Sequence, residues 1–320
     1  MTYRDKRKLT LKRRWPSRRT YSGLAQSKNM HKMILVFLIC NSFTSLFAHQ
    51  QKEVYGPDNR LDLYQMMPNK FREWASATAA LVIWDHLAIY QDQAYLQSSN
   101  LQTSMKVCAD EKFVDQPSAA TCSGFLVAPD LIVTAGHCLN PVEKSCGRRA
   151  WIFDFALLSP KETGRRIPLK NIYFCQEILL RIKDQGPPWN DLALIRLNRK
   201  VEDRLPLPVR HQGIIPDDAD LVMIGNPSGL PTKVAASGKV MDNTNNIFFK
   251  ASLDAFGRNS GSAVIDVNTG LVEGLLVRGS KDYQVDPKMN CLRPYFCQEG
   301  ECQGAEVTRI SNFFKEQSNR

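Results

Sequence analysis

Beyond residue 120 the sequence consists of short apolar runs separated by glycine, proline, asparagine and aspartate. The runs cover residues 125–127, 131–134, 151–158, 192–197, 221–225, 247–250, 262–266 and 271–277, and a similar run lies earlier at 79–84. Runs of this length between turn-forming residues are typical of buried β-strands. The pattern therefore predicts an all-β sandwich or barrel, closed by a C-terminal helix over residues 308–317 that buries one apolar face.

The first 48 residues have the layout of an export signal. An apolar run at residues 33–47 follows His31 and Lys32 and ends at Ala48, a small residue suited to cleavage. The run is short of the roughly 20 residues that a membrane span needs, and an uncleaved anchor is the alternative interpretation. We expect a signal peptide at residues 30–48 behind a basic N-terminal extension. The mature protein would be secreted or periplasmic, without stable membrane association.

The formal charge of +10 is concentrated in this extension. Eleven of the 42 basic residues and one of the 32 acidic residues lie within positions 1–48, so the rest of the chain carries equal numbers of both. A nucleic-acid interface needs a basic face on the folded domain. The charge pattern therefore gives no reason to expect a nucleic-acid partner, and a basic binding arm over residues 4–28 is the alternative.

Cysteine usage agrees with export. Of the nine cysteines, Cys40 lies inside the signal and eight follow it, at positions 108, 122, 138, 146, 175, 291, 297 and 302. An even number of cysteines in an exported chain predicts four disulfides. A metal site formed by Cys291, Cys297 and Cys302 is the competing interpretation, but their spacing is not a C-x-x-C pattern. We expect neither a metal nor another cofactor.

Three short segments carry residues that can act together in catalysis. His137 lies in Thr-Ala-Gly-His-Cys at 134–138, Asp191 begins the apolar run at 192–197, and Ser260 lies in the glycine-flanked turn at 257–262. A serine hydroxyl needs a nearby base to take its proton, and histidine suits this role near neutral pH. An aspartate orients the imidazole and stabilises its protonated form. Each residue alone is usually structural, but the three in this order predict a catalytic triad.

The three motifs resemble those of the chymotrypsin-like serine protease family. Residues 134–138, 191–194 and 259–262 are similar to its histidine, aspartate and serine motifs. The Asn-Ser-Gly-Ser form of the serine motif, together with the segments at 58–60 and 224–230, looks like the bacterial glutamyl endopeptidases. The resemblance extends over roughly residues 54–312.

This resemblance implies a fold of two packed six-stranded antiparallel β-barrels in a domain over residues 49–320. The first barrel would occupy about 54–200 and contribute His137 and Asp191, and the second would occupy about 215–312 and contribute Ser260. The family also places a disulfide beside the histidine, which here implies Cys122–Cys138.

The resemblance further implies how a polypeptide substrate is held. The backbone N–H groups of Arg258 and Ser260 would form the oxyanion hole. Residues 274–279 would form an edge strand that pairs with the extended substrate, with Val277, Arg278 and Gly279 in contact with it.

Substrate preference depends on Asp254, which lies six residues before Ser260. Trypsin-like members carry a pocket-base carboxylate at this offset, and an inward-pointing Asp254 would favour cutting after Arg or Lys. A structural aspartate in a turn is the alternative. Arg278 would instead favour acidic residues. We expect cleavage after basic residues.

Arg258 departs from the family pattern, which usually has glycine at this oxyanion position. A side chain restricts the peptide orientation that aims the N–H inward. Two functions follow: a secreted serine endopeptidase that acts through an acyl-enzyme, or a catalytically weak or inactive homologue that binds proteins through its cleft.

Overall fold

The computed structural model describes residues 54–66, 69–139, 147–279, 281–297 and 302–313. The chain divides into two units, Met1–His49 and Gln50–Arg320, and all described residues belong to the second. The expected basic extension and signal peptide lie outside the described residues. Within the described part of the chain, no helix is long and apolar enough to cross a membrane.

Regular structure in these residues consists almost entirely of β-strands. In chain order they are β1 (Val54–Tyr55), β2 (Arg60–Asp62), β3 (Thr78–Ile83), β4 (Leu87–Tyr90), β5 (Gln93–Leu96), β6 (Ala120–Ala128), β7 (Leu131–Thr134), β8 (Arg149–Phe153), β9 (Arg166–Pro168), β10 (Ile172–Lys183), β11 (Asp191–Leu197), β12 (Asp220–Gly225), β13 (Lys233–Asp242), β14 (Phe248–Ala251), β15 (Ala263–Asp266), β16 (Val272–Arg278), β17 (Tyr283–Asp286), β18 (Cys291–Pro294), β19 (Phe296–Cys297) and β20 (Ala305–Arg309). The α-helices are α1 (Lys70–Ser76) and α2 (Leu101–Met105), and single 3-10 turns lie at Leu63–Gln65, Trp84–His86, Gly136–Cys138, Leu169–Asn171 and Pro227–Gly229.

Six strands close the first barrel in the order β10-β11-β7-β6-β3-β8, and every pairing is antiparallel. Apolar residues with almost no exposed surface fill it, among them Phe125 and Trp151. Gly124 lies directly under the indole of Trp151, and a Cβ at this position would come within 2.7 Å of the ring. β11 is buried at six of its seven residues, which explains its uninterrupted apolar sequence.

The second barrel contains β12-β15-β16-β20-β14-β13, and the pairing of β13 with β12 closes the ring. These pairings are also antiparallel. The predicted architecture of two six-stranded antiparallel barrels is therefore confirmed, and the barrel alternative holds over the sandwich.

One apolar core joins the two barrels. The same buried cluster contains Phe125 and Leu192 from the first barrel and Val222 and Ala263 from the second. A buried hydrogen bond also crosses between them, from the backbone N–H of Asn226 to Oγ of Ser123 at 2.9 Å. The loops that carry the predicted catalytic residues are thus supported by a shared interior.

The N-terminal segment packs on the second barrel rather than the first. β2 pairs with β13, and β1 pairs in parallel with β19. The strands of the first barrel begin only at Thr78, so the expected boundary at residue 54 needs correction. β2 joins β13 because β13 is long enough to pair with β2 and β12 at one end and with β14 at the other.

All the runs predicted as strands coincide with observed strands, although the run at 151–158 leaves the sheet after Phe153. β10 and β13 were not anticipated. β10 is only partly buried along most of its length and carries polar residues such as Gln176, Glu177 and Arg181. Such a strand lacks the apolar pattern on which the prediction depended.

The predicted C-terminal helix is wrong at its start. Thr308 and Arg309 belong to β20, where Thr308 pairs with Phe248 of β14 and Leu275 of β16. Pairing on both sides takes precedence over the weak helical spacing of the apolar residues. Residues 311–313 are helical, and the remainder of the predicted helix lies outside the described residues.

Three disulfides join described cysteines: Cys108–Cys291, Cys122–Cys138 and Cys297–Cys302. Cys175 is also disulfide-bonded. The thiols that the metal interpretation required, at 291, 297 and 302, are therefore all used in disulfides.

Candidate active site

The loop after β7 carries His137 and forms one wall of the site. Gly136–Cys138 is a single 3-10 turn. Gly136 lies so close to β10 that a Cβ there would overlap the carbonyl oxygen of Ile182. Only glycine permits this approach, and it holds the turn against the hairpin formed by β10 and β11.

His137 is paired with Asp191, the first residue of β11. Nδ1 of the imidazole lies 2.8 Å from Oδ2 of Asp191, and the backbone N–H of His137 donates to Oδ1 at 3.0 Å. The carboxylate is fully buried, whereas the His137 side chain is 34% exposed. Because an ionised carboxylate only accepts, Nδ1 carries the proton and Nε2 is left as the basic nitrogen.

Lys183 is a third partner of this carboxylate that the sequence analysis did not identify. Its Nζ donates to Oδ2 of Asp191 at 3.0 Å, the same oxygen that receives His137. Burial on its own raises the pKa of Asp191, but the hydrogen bonds and charge of His137, and then Lys183, outweigh burial and hold the pKa below its usual value. Asp191 is therefore ionised throughout the neutral range.

The turn before Ser260 places Arg258 in an unusual backbone conformation. The N–H of Asn259 donates to the carbonyl of Phe256 at 3.1 Å and closes a four-residue turn. Arg258, the third residue of the turn, has a φ of 67°. A positive φ at the third position is the geometry of a type II turn and is normally reserved for glycine. The backbone of Arg258 therefore carries a strain on the order of 1 kcal/mol, because its Cβ crowds the following carbonyl oxygen.

The amide groups of this loop divide into two sets. Four of them donate to acceptors within the protein: Gly257 to Asp282, Asn259 to Phe256, Gly261 to Leu276 and Ser262 to Asn259. The N–H groups of Arg258 and Ser260 have no acceptor among the residues that the structure describes. The two amides that the family resemblance assigns to the oxyanion hole are thus the two that remain available to a ligand.

Contacts with the first barrel bring the Ser260 loop against the histidine loop. The N–H of Ser123 donates to the carbonyl of Ser260 at 2.8 Å. Sγ of Cys138 lies 3.7 Å from the same carbonyl oxygen and within 4.8 Å of a ring nitrogen of His137. Because Cys138 is bridged to Cys122 and carries no thiol hydrogen, this is a packing contact. The Ser260 hydroxyl makes no hydrogen bond within the described part of the chain.

Gly261 is the tightest point of this loop. Its φ is 86°, and a Cβ there would overlap the carbonyl oxygen of Ser123 and the hydroxyl of Thr134. On the next residue, the hydroxyl of Ser262 donates to Oδ1 of Asn259 at 2.6 Å. The backbone around Ser260 is thus fixed from both barrels.

Cys122, His137 and Cys138 place three potential metal-ligand atoms within 4.8 Å of one another. Both cysteines are oxidised to one disulfide, and a disulfide sulfur is not a thiolate ligand. The donor set therefore does not fit a metal ion.

A cleft of about 460 Å³ opens beside Ser260. We call it the first cleft; its lining includes Gly257, Ser260, Lys281, Asp282 and the strand end Val277, Arg278 and Gly279. The structure thus places the three predicted substrate contacts Val277, Arg278 and Gly279 on one wall of this cleft.

Residues 274–279 were expected to form an edge strand, but only residues 277–279 lie at an open edge. Leu276 exchanges backbone hydrogen bonds with Gly261 and Ser262 on one side and pairs with Val307 of β20 on the other. The strand is therefore interior up to this residue, because β15 and the Ser260 loop cover it. The open side begins at Val277.

Asp254 does not line the first cleft. It is only 2% exposed, and its two carboxylate oxygens accept the backbone N–H groups of Tyr55 at 3.1 Å and Asn59 at 3.0 Å. Burial raises its pKa to about 6, although both amides act in the opposite direction. The carboxylate therefore anchors the N-terminal segment, and a pocket-base role for it is not what the geometry supports.

Asp282 is the carboxylate that does line the first cleft. Its Oδ2 accepts the N–H of Gly257 at 2.6 Å. Burial raises its pKa to about 6, against the lowering effects of that N–H and of the charge on Arg60. Asp282 follows Ser260 by 22 residues and lies in no recognisable motif, so only the folded path of the chain identifies it.

Arg278 is engaged by its own neighbours. It forms an ion pair with Glu306 and donates to the carbonyl of Trp189 at 2.9 Å. The pairing with Glu306 offsets its charge, which weakens the expectation that it selects acidic substrates.

Residues 122–275, just under half of the chain, match the family described as "Trypsin-like peptidase domain". The matched region contains His137, Asp191 and Ser260 together with the disulfide Cys122–Cys138. Over this region the chain is similar to trypsin-like peptidase domains.

Among solved structures, the VesB protease of Vibrio cholerae is similar to this chain, with 14% sequence identity and a TM-score of 0.48. The match covers 82% of this chain and 66% of that chain, so it spans slightly less than two thirds of that protease. No curated protein matches the sequence.

Proposed function

We propose that this protein is a serine endopeptidase in which Ser260 is the nucleophile, His137 the general base and Asp191 the residue that orients His137. The observation that supports this most directly is the His137–Asp191 pair, 2.8 Å apart, beside a loop that presents Ser260 with its hydroxyl unengaged. In resting proteases the contact between serine and histidine is often long and tightens when substrate binds.

In the proposed reaction, Nε2 of His137 takes the hydroxyl proton while Oγ of Ser260 attacks the scissile carbonyl carbon. The carbonyl oxygen becomes an oxyanion and accepts hydrogen bonds from the N–H groups of Arg258 and Ser260. The imidazolium then donates its proton to the leaving amine, and the C–N bond breaks. Water repeats the sequence on the acyl-enzyme and restores the Ser260 hydroxyl.

The rival function, a weak or inactive homologue that binds proteins, was suggested by Arg258. Its φ of 67° supports the active alternative instead, because the residue adopts the conformation for which glycine is otherwise used. The unengaged N–H groups of Arg258 and Ser260 are available to an oxyanion.

We further propose that the first cleft accepts a basic side chain before the cut. Asp282 supplies the carboxylate for this role, in place of Asp254. The charge of Arg278 is offset because it is already paired with Glu306. Lys281 also lines the first cleft and lies 5.3 Å from the ring of Tyr295, so Asp282 is the carboxylate, but not the only charge, that a Lys or Arg side chain would meet. The substrates would be polypeptides met outside the cytoplasm, in agreement with the disulfides.

A fluorophosphonate probe tests the catalytic proposal. Covalent labelling of the purified protein is expected, and Ser260→Ala should abolish it. Ser76→Ala, at the last residue of α1, is the matched control and should label normally. A folded wild-type protein that takes up no label would contradict the proposal and favour the binding module.

A peptide-library digest tests the specificity. Cuts after Arg and Lys are expected, and Asp282→Asn should lower kcat/KM for these peptides by about tenfold or more. Cuts confined to Glu and Asp would contradict the role of Asp282.

A further inference from the structure

A second cleft, of about 420 Å³, lies on the side of the catalytic loop where Arg258 projects. Its lining is rich in hydroxyl groups, from Ser98, Ser99, Ser104, Ser118 and Thr121, and Arg258 supplies the guanidinium. No aspartate or glutamate occurs among the described residues that line it. His86 also lines the cleft, and the hydroxyls of Ser118 and Thr121 already donate to the backbone carbonyls of Ser228 and Leu81. A cavity with a guanidinium and an imidazole but no carboxylate is suited to a negatively charged group.

Arg258 is held in this cleft without an opposite charge. Its Nη1 donates to Oγ of Ser118 at 3.0 Å. The Ser118 hydroxyl in turn donates to the carbonyl of Ser228 at 2.8 Å and lies 3.2 Å from Oγ of Ser104. Within the described residues Arg258 bonds to the Ser118 hydroxyl and has no carboxylate partner. The hydroxyl network therefore orients the guanidinium and leaves its charge for a ligand.

The backbone of Arg258 bears a cost that glycine would avoid. A left-handed φ persists in a non-glycine residue where the surrounding structure over-determines it, and such strain concentrates at functional sites. Here the same residue offers its N–H toward the scissile carbonyl and its side chain toward the second cleft. A side chain at this position can thus contact a substrate group close to the scissile bond, which glycine could not do.

The chain direction of a bound peptide assigns the second cleft to the product side. Gly257 and Ser260 line the first cleft, which is proposed to hold the residue before the cut, whereas Arg258 lines the second. A peptide that fills the first cleft and passes Ser260 leaves along Arg258 and the start of β6, near Thr121.

We propose that the second cleft binds an acidic side chain, Asp or Glu, within the first three residues after the cut, by an ion pair with Arg258. This inference rests on the proposed endopeptidase function and narrows its substrates to sequences with a basic residue before the cut and an acidic residue after it.

Internally quenched peptides test this subsite. The peptides share an Arg before the cut and carry Glu, Gln or Lys at one of the three positions after it. Wild-type protein should show a kcat/KM about fivefold higher for Glu than for Gln, and lower still for Lys. Arg258→Gln should remove the difference, and Arg258→Glu should reverse it in favour of Lys. Equal kcat/KM for Glu and Lys peptides in the wild type would overturn the inference.

Two further variants are measured with the same peptides: Ser118→Ala tests the anchor of the guanidinium, and Arg196→Gln is a control for net charge. Ser118→Ala should reduce the Glu-to-Gln ratio, because the guanidinium loses its anchor. Arg196 lies on β11 five residues beyond Asp191, about 16 Å along the strand, so Arg196→Gln changes the protein charge equally and should leave the ratio unchanged. An unchanged ratio in Arg258→Gln would overturn the role of Arg258, and an equal fall in Arg196→Gln would show that net charge and not the cleft makes the selection.

Two measurements separate this inference from the proposed function. A short acyl-Arg-p-nitroanilide has no residue to occupy the second cleft, so its turnover reports the catalytic machinery alone. Turnover of this compound without any Glu preference overturns the subsite and leaves the peptidase intact. If the compound is not turned over, fluorescence anisotropy of the same peptides with Ser260→Ala decides: tighter binding of Glu than Lys peptides supports the subsite, and equal binding overturns it.

Discussion

Lys183 lies directly opposite Asp191 at the loop end of the β10–β11 hairpin, and its ammonium contacts the carboxylate oxygen that also receives His137. Asp191 is therefore shared between two positively polarised groups. The Lys183 side chain remains 26% exposed, so its charge is only partly screened by solvent. A cation at this oxygen helps to keep Asp191 ionised.

Lys183→Met should therefore move the acid limb of the pH–activity profile to higher pH, by about half a unit. The hydrogen bond from Lys183 helps to hold the pKa of Asp191 below its usual value. Without the ammonium, the carboxylate is neutralised at higher pH and no longer orients His137 for the proposed reaction. The measurement is kcat/KM against pH with a single peptide substrate. Lys183→Arg preserves the charge and should keep the wild-type profile; a shift in both variants would indicate a packing effect.

The preference for basic residues should itself depend on pH through Asp282. Burial raises the pKa of Asp282 to about 6, so the carboxylate becomes neutral as the pH falls through that value. The ratio of kcat/KM for an Arg peptide over the matching Gln peptide should therefore decline below pH 6. Because the proposed catalytic residues serve both peptides equally, any pH dependence of the reaction itself cancels in the ratio. Asp282→Asn should give a low ratio at every pH, and a ratio that still titrates near 6 in this variant would assign the effect to another group.

Gly261→Ala should remove activity and lower the free energy of unfolding by about 2 kcal/mol or more. The added methyl group overlaps the carbonyl of Ser123 and the hydroxyl of Thr134, and the backbone has a φ of 86°. Gly186→Ala is the matched control, since nothing lies within 4 Å of a Cβ there. Its stability in urea should stay within about 0.5 kcal/mol of the wild type. Equal stability of the two variants would contradict the close approach at Gly261.

Removing the disulfide between Cys122 and Cys138 should impair turnover before it unfolds the protein. The bridge joins residues 16 apart in sequence, for which chain entropy predicts a loss of about 3 kcal/mol. It also packs Cys138 against the carbonyl of Ser260, so its loss releases the histidine loop. Activity and circular dichroism are compared for Cys122→Ala/Cys138→Ala.

The double variant Cys297→Ala/Cys302→Ala is the control for this experiment, because that bridge closes only a five-residue separation and joins no strand of either barrel. It should retain turnover. Full turnover of a folded Cys122→Ala/Cys138→Ala protein would show that the bridge does not position His137.

The sequence could identify the fold because its central strands are buried on both faces and have uninterrupted apolar runs. β11, which presents Asp191, is the clearest example. β10 escaped prediction because its buried and exposed positions do not alternate regularly, and two irregularities interrupt its pairing with β11. Lys183 is the last residue of β10, and its position opposite Asp191 follows only from the register of this hairpin, which no sequence motif indicates.

Specificity was less predictable than the three catalytic candidates. Local motifs mark His137, Asp191 and Ser260, since the geometry around each is set within a few residues. By contrast, whether Asp254 or Asp282 reaches the first cleft depends on where the N-terminal segment and the β16–β17 connection run. Both paths are fixed by contacts between residues far apart in sequence, which no short pattern records.

The hydrogen bonds from the backbone N–H groups of Tyr55 and Asn59 to Asp254 have a consequence for shortened forms of the protein. These contacts join residues nearly two hundred positions apart. A truncated chain that starts at Thr78 would keep every strand of both barrels, yet a buried carboxylate six residues from Ser260 would have lost both of its donors. The N-terminal segment from Val54 to the end of β2 therefore stabilises the second barrel, and the smallest stable domain must include it.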